Sequence, residues 1–196
     1  MPQRIAELER VTKETRVRIR VNLDGSGTHK VQTGLGFLDH MLQQLAFHGL
    51  LDLEVQCDGD LHIDGHHTTE DIALALGGAV LEALGDKQGI QRYGHAYIPM
   101  DEALLRCVID LSGRPDFVMR GGFTQPMIGQ LDTQLIPHFF KSFAIASRST
   151  LHLAILDGEN DHHKCEGLFK ALARALRSAV EPDPRRGEVT STKGVL

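Results

Sequence analysis

Residues 16–23 alternate in character, with Arg16, Arg18 and Arg20 on one face and Val17, Ile19, Val21 and Leu23 on the other. A period of two predicts a half-buried strand. Asp24-Gly25-Ser26-Gly27 turns the chain, and His29 to Thr33 is expected to return as the hairpin partner of that strand. The period then lengthens: Phe37, Leu38, Met41, Leu42 and Leu45 repeat at helical spacing, with Gly49 as the expected stop. Leu50 to Cys57 reads as a strand and Asp58-Gly59-Asp60 as a turn. From about Thr68 to Leu84, Ile72, Leu76, Ala79, Val80 and Ala83 mark the inner face of a second helix that Gly85 ends.

The same order then recurs. Leu104 to Leu111 and Asp116 to Met119 read as strands about the turn Ser112-Gly113-Arg114-Pro115. A helix is predicted over Leu135 to Ala146, where Pro137 fits only in the first turn. Leu151 to Leu156 reads as a strand and Asp157-Gly158-Glu159-Asn160 as a turn. The last helix runs from about His163 to Val180, with Leu168, Phe169, Leu172 and Leu176 on one face, and Glu181-Pro182-Asp183-Pro184 breaks it. The expected architecture is α+β: an internal duplication of two β-β-α-β-α halves, with sheets packed on helices. One domain spans residues 1–196, with pseudo-repeats over about 10–90 and 91–181 and a polar tail over 182–196.

The duplication extends to chemistry. His66-His67-Thr68-Thr69-Glu70 and His162-His163-Lys164-Cys165-Glu166 open the two amphipathic helices, and each has a histidine upstream, His40 and His138. Residues i and i+4 share a helix face, so His66 can chelate with Glu70 and His162 with Glu166. The adjacent histidine is turned about 100° around the helix, so His67 and His163 serve a different metal from their neighbours. Six histidines and two glutamates make two sites of three imidazoles and one carboxylate. In the symmetric solution each metal takes a His and its i+4 Glu from one motif and the second His of the other, and an upstream His completes the set. Such a set suits Zn, Fe, Mn or Ni. An octahedral ion would keep two positions open, which favours catalysis over a structural role. His29, His62, His95 and His152 have no such setting and read as strand or turn residues. Cys165 has Thr69 at its counterpart and is not expected to ligate.

Composition narrows the rest. The 196 residues are 41% hydrophobic and only 5% aromatic, with no Trp and a net charge of −5. That charge implies no broad basic face for nucleic acid. No apolar run approaches membrane-spanning length. Met1 to Arg10 is charged and lacks the apolar core of a leader. Cys57, Cys107 and Cys165 are odd in number without Cys-x-x-Cys spacing, which suits reduced thiols in a cytoplasmic protein.

Several long segments resemble one enzyme family across essentially the whole chain. They are Gly36-Phe37-Leu38-Asp39-His40-Met41, Asp64-Gly65-His66-His67-Thr68-Thr69-Glu70-Asp71, Asp110-Leu111-Ser112-Gly113-Arg114-Pro115, His138-Phe139-Phe140, His162-His163 to Glu166, and Ser191-Thr192-Lys193-Gly194-Val195. The family is imidazoleglycerol-phosphate dehydratase, the manganese enzyme of histidine biosynthesis, in its monofunctional form without an attached phosphatase. Gly65, Lys164 and Cys165 depart from the residues common in the family, all at positions that are not ligands. The resemblance implies two Mn(II) per subunit. One would be held by His40, His67, His162 and Glu166, the other by His66, Glu70, His138 and His163. It further implies active sites between subunits in a homo-oligomer of 24 chains.

The implied reaction converts D-erythro-imidazoleglycerol phosphate to imidazole acetol phosphate plus water. The departing proton has no carbonyl to acidify it. A metal-bound imidazolate can instead expel the hydroxyl, giving a diazafulvene-like intermediate in which the neighbouring C–H becomes acidic. The resemblance makes Glu14 the candidate acid–base and places His48 and Asp101 along the substrate pocket. It points to Arg92, Arg114, Lys170, Ser191, Thr192 and Lys193 for the phosphate, with Gln44 assisting. Two other classes fit the residues less well. A two-metal phosphate-ester hydrolase would need bridging carboxylates, and one Glu per metal fits that less well. A metal-buffering shell protein would have closed sites and no use for the phosphate residues.

Overall fold

The computed structural model describes residues 4–196. The start of the Met1 to Arg10 stretch, read above as lacking a leader core, lies outside them. The first half runs β1 (Ile5–Val11), β2 (Thr15–Asn22), β3 (His29–Gln32), α1 (Gly36–Gly49), β4 (Asp52–Gly59) and α2 (His66–Leu84). The second runs β5 (Tyr93–Met100), β6 (Ala103–Asp110), β7 (Asp116–Arg120), a short hairpin of β8 (Met127–Ile128) and β9 (Leu131–Asp132), α3 (Leu135–Ala146), β10 (Thr150–Asp157) and α4 (Asp161–Val180).

Alternation in β2 does what a period of two requires. Val17, Ile19 and Val21 are buried, and burying each is worth about 1.5–3 kcal/mol. Arg16, Arg18 and Arg20 face outward and pair with Glu9, Glu7 and Glu54 on the neighbouring strands. The two four-stranded sheets have matching orders, β1-β2-β4-β3 and β5-β6-β10-β7. α2 lies on the first sheet and α4 on the second. The other two helices cross over: α1 packs on α4, and α3 packs on α2. The four helices therefore fill the space between the sheets, and the crossover carries one half's upstream histidine to the other half's motif. At the α2–α3 crossing a Cβ on Gly77 would stand 2.6 Å from the Phe143 carbonyl oxygen, so only glycine permits this approach.

The α+β duplication matches the sequence expectation, with differences in detail, among them the unexpected β8–β9 hairpin of the second half. Each half carries one more strand in front, β1 and β5. His29 to Thr33 is not the hairpin partner of the preceding strand: β3 pairs in parallel with β4, His29 opposite Leu53. The intervening α1 makes this a β-α-β unit, a pairing that local turn chemistry does not disclose. The first helix ends on Gly49 as expected. Leu50 caps it in the left-handed region at φ 51. Finally, α2 and α4 begin two residues before their expected starts, so the histidine pairs lie within the first turns. Gly85, at φ 55, ends α2 as expected.

The tail folds back. Bridges join Gln88 to Val189 and Ile90 to Pro182, and Thr190 donates its hydroxyl to the Ile90 carbonyl.

Candidate metal centres and active site

Local rules set the two histidine pairs. Asn160 caps α4, its side chain accepting from the backbone N–H of His162 and of His163. Asp64 accepts from the backbone N–H of His66 in the same manner. Each pair is thus fixed on a first helical turn, one histidine facing its own i+4 glutamate and the next turned aside.

Two clusters result. In the first, His40 of α1 meets His162 and Glu166 of α4. The Nε2 atoms of both histidines lie 3.0 Å from Glu166 Oε2. Lys170 takes the other oxygen, Oε1, at 2.6 Å. Burial opposes ionisation of Glu166, but hydrogen bonds from Lys170, His40 and His162 outweigh it and hold its pKa to about 2. Phe37 stands edge-on to His162 at 5.1 Å. In the second, His66 and Glu70 of α2 meet His138 of α3. Glu70 lies 3.8 Å from His66 Nε2 and 3.4 Å from His138 Nε2. The rings of His66 and His138 are 4.7 Å apart. His138 Nε2 is buried without a hydrogen-bond partner among the described residues. A buried ring nitrogen costs free energy unless something accepts its lone pair or proton, and here it points at another imidazole and a carboxylate. Two imidazoles and a carboxylate converging within 4.8 Å in each cluster fit a divalent first-row ion.

Of each expected four-residue set, one chain assembles three. His67 and His163 join neither cluster. The Asp60 hydrogen bond to His67 Nδ1, at 2.9 Å, raises the pKa of that imidazole against the smaller effect of burial. His163 Nδ1 lies 2.8 Å from Glu102 Oε2. Backbone N–H from Asn160, then the His163 ring, hold Glu102 at about 2. Asp60 and Glu102 were missed in the sequence. They sit at unrelated places in the two repeats, one just after β4 and one in the β5–β6 turn, so no shared motif marks them.

Glu14 lies exposed in the β1–β2 connection. Its backbone carbonyl accepts from Asp60 N–H at 3.1 Å. Asp101 is exposed in the β5–β6 turn, 3.8 Å from His163 Nε2. Gln44 and His48 share a hydrogen bond of 3.2 Å on α1. Burial, then the charges of Lys170 and Arg174, lower the pKa of His48. The residues named for phosphate divide into two groups. Gln44 and Lys170 flank the first cluster on α1 and α4. Arg92 and Arg114 lie by the tail, and the loop Thr190, Ser191 and Thr192 lines a concavity with Arg92, Tyr93, Arg185 and Arg186. Arg92 is buried and committed: it clamps Asp110 at 2.7 and 3.0 Å and donates to the Thr190 carbonyl. The Arg114 side chain is exposed, 3.9 Å from Asp110, and the Ser191 hydroxyl accepts from Lys193 N–H.

Cys165 is buried, and burial first, then the charges of Glu166 and Asp161, push its thiol well up. That suits a packed side chain rather than a thiolate ligand. His29, His95 and His152 lie on strands and His62 in a turn, outside both clusters. No helix among the described residues is long and apolar enough to cross a membrane.

Residues 33–176 match the family model described as imidazoleglycerol-phosphate dehydratase. The chain is 58% identical over 196 residues to the imidazoleglycerol-phosphate dehydratase of Methylibium petroleiphilum, covering all of this chain and 98% of that one. To that of Zymomonas mobilis subsp. mobilis it is 58% identical over 195 residues, covering 99% and 100%. Among solved structures, the imidazoleglycerol-phosphate dehydratase of Staphylococcus aureus superposes with a TM-score of 0.83 at 38% identity, over 91% of this chain and 99% of that one. The Pyrococcus furiosus enzyme in complex with (S)-C348 gives a TM-score of 0.80 at 34% identity, over 96% and 100%.

Proposed function

The chain belongs to the imidazoleglycerol-phosphate dehydratase family, a hydro-lyase of histidine biosynthesis, and from that premise we propose how its residues carry the reaction. The substrate is D-erythro-imidazoleglycerol phosphate and the product imidazole acetol phosphate. The observation that carries the reading is the pair of matched His/Glu clusters, each of three residues, beside two histidines that join neither cluster. His40, His162 and Glu166 would hold one Mn(II), completed by His67 of another copy. His66, Glu70 and His138 would hold the second, completed by His163 of another copy. Bound Mn(II) supplies Lewis acidity that favours the imidazolate form of the substrate ring. The protein functions as a cytoplasmic homo-oligomer, with 24 subunits expected from the family resemblance.

The chain's own groups do the rest. The hydroxyl on the carbon beside the ring leaves as water, taking up the proton lost from the ring nitrogen, and the diazafulvene-like species that results makes the next C–H acidic. Glu14 takes that proton through its carboxylate and returns it to the carbon the hydroxyl left, while the enol O–H proton goes back to the ring nitrogen as the ketone forms. His48 and Asp101 line the pocket. Arg114, Lys170, Ser191, Thr192 and Lys193 bind the phosphate with Gln44, while Arg92 holds the tail in place through Thr190.

The test is dehydration of imidazoleglycerol phosphate by chelator-stripped protein with and without Mn(II), following the ketone product. Product formation restored by Mn(II) is expected. Absence of product from protein with Mn(II) bound would overturn the reading.

A further inference from the structure

His67 and His163 differ from the other four histidines of the motifs. His40, His66, His138 and His162 direct Nε2 at a glutamate of their own cluster. Among the described residues, no carboxylate lies within ion-pair distance of their Nδ1 atoms. His67 and His163 have no cluster in their own chain, and each gives Nδ1 to a carboxylate instead: Asp60 Oδ2 at 2.9 Å and Glu102 Oε2 at 2.8 Å. An ionised carboxylate only accepts, so the Nδ1 atom carries the proton. The lone pair of a neutral ring is then on Nε2; for His163 the exposed Asp101 carboxylate lies 3.8 Å from that atom, beyond hydrogen-bond distance.

Both acids are themselves held. Glu102 Oε1 accepts from the backbone N–H of Glu159 at 3.1 Å and of Asn160 at 2.8 Å. Asn160 is the cap of α4, so acid and imidazole share one rigid helix end. The Asp60 backbone N–H donates to the Glu14 carbonyl, and its carbonyl accepts from Ile63 N–H. The two repeats thus reach one geometry from unrelated positions. A chance surface contact has no reason to recur in that way.

We propose that Asp60 and Glu102 are positioning residues: they fix the tautomer and direction of His67 and His163 so that each presents a ready Nε2 to a metal in another copy of the chain. This rests on the proposed ligand sets. An imidazole on an exposed first turn otherwise divides its time between two tautomers and several rotamers, and ordering it at association opposes metal binding. Carboxylate partners of ligating histidines are worth about 10–100-fold in metal affinity.

The experiment is equilibrium dialysis of the stripped full-length protein against a series of free Mn(II) concentrations, with bound metal per chain measured by mass spectrometry. Asp60→Ala and Glu102→Ala should each weaken one of the two Mn(II) by about 10–100-fold. Asp60→Asn and Glu102→Gln retain an acceptor oxygen and should recover most of that loss. In a His67→Ala background, Asp60→Ala should change affinity by less than about twofold, because its target is gone. An equal loss in that background would overturn the proposal, as would unchanged affinity in both alanine variants. The ligand sets fail separately: two Mn(II) per chain held at wild-type affinity by His67→Ala would refute them whatever the acids do.

Discussion

Replacing Asp71 by Ala should slow turnover while leaving metal content intact. Asp71 follows Glu70 of the second His/Glu cluster on α2, and one residue along a helix is about 100° around it. Glu70 faces the histidines, and Asp71 faces the β1–β2 connection. There its carboxylate accepts from Arg10 Nε at 2.7 Å, from the Thr15 hydroxyl, and from the Thr12 hydroxyl at 3.3 Å. The Thr12 hydroxyl accepts in turn from the backbone N–H of Glu14 and of Thr15. The position of Glu14 is therefore set by a chain of contacts rooted in Asp71.

The cost can be worked contact by contact. A hydrogen bond to a buried charged group contributes about 1.5–3 kcal/mol, which applies to Thr15. The Arg10 side chain is 39% exposed, so its share is discounted to at most about 1 kcal/mol. The Thr12 contact is long and adds little. The sum is about 3 kcal/mol, which for a chain of this length lowers Tm by about 6–12 °C. Release of the Glu14 backbone should cost more in rate: misplacing a catalytic group by an ångström can cost about 100-fold, and a fall in kcat of about 10–100-fold is expected. The assay is a double-mutant cycle with Glu14→Gln, reading kcat, bound Mn(II) and Tm. If Asp71 acts through Glu14, adding Asp71→Ala to Glu14→Gln should change kcat by less than about twofold, while the drop in Tm persists. A full 10–100-fold loss in the Glu14→Gln background, or loss of metal from Asp71→Ala alone, would refute the reasoning.

Three further outcomes are expected. Lys164 and Asp161 form an ion pair of 2.6 Å with both side chains buried. Breaking such a pair costs about 3–5 kcal/mol, but Asp161 keeps donors from Thr124 and Gln125, so Lys164→Met should cost about 2–3 kcal/mol in thermal melts and Asp161→Asn should restore part of it. Arg114→Ala should raise KM by at least about tenfold with bound Mn(II) unchanged, since a guanidinium–phosphate pair is a strong charge-assisted contact; an unaltered KM would move the phosphate elsewhere. Glu166 has its carboxyl held at about 2, below its ordinary 4.5, so it contributes stability that is present above the ordinary value and lost as pH falls through about 2. Melts of the stripped protein should decline between about pH 5 and 2, and Glu166→Gln should flatten that decline.

The helices and the ligand motifs were legible because both rest on helical periodicity, which one sequence displays without help. What escaped needed information from elsewhere in the fold. β1 reads Ile5–Val11 with Glu7 and Glu9 outward and only Ala6 fully buried among its inward side chains, so its apolar signal is faint. β5 turns Gly94 and Ala96 inward, small because α4 packs closely over it: a Cβ on Gly94 would collide with the Ala175 carbonyl. β3 was misread as a hairpin partner because short-range turn chemistry favours neighbours, whereas a β-α-β connection joins strands across a helix. Spacing alone left open which motif each upstream histidine serves; the family resemblance implied the other half's motif, and the packing brings His40 to His162 and Glu166 and His138 to His66 and Glu70.

That exchange follows from where the helices must go. α2 and α4 each bury an apolar face on their own sheet and leave the opposite face to be covered. α1 and α3 supply that cover, each for the other half's helix. The first turns of α2 and α4 thereby acquire an upstream imidazole from a different repeat, and the i and i+4 residues are satisfied within one chain. The second histidine of each pair lies about 100° away, where it joins neither cluster of the described residues and meets a carboxylate of its own chain instead. If the proposed ligand sets hold, two adjacent histidines, rather than one, let a single helix end close a centre in its own chain and offer a donor to the next. On the proposed reading, metal binding and association are then linked by mass action, and the carboxylates at Asp60 and Glu102 belong where the donor leaves the chain.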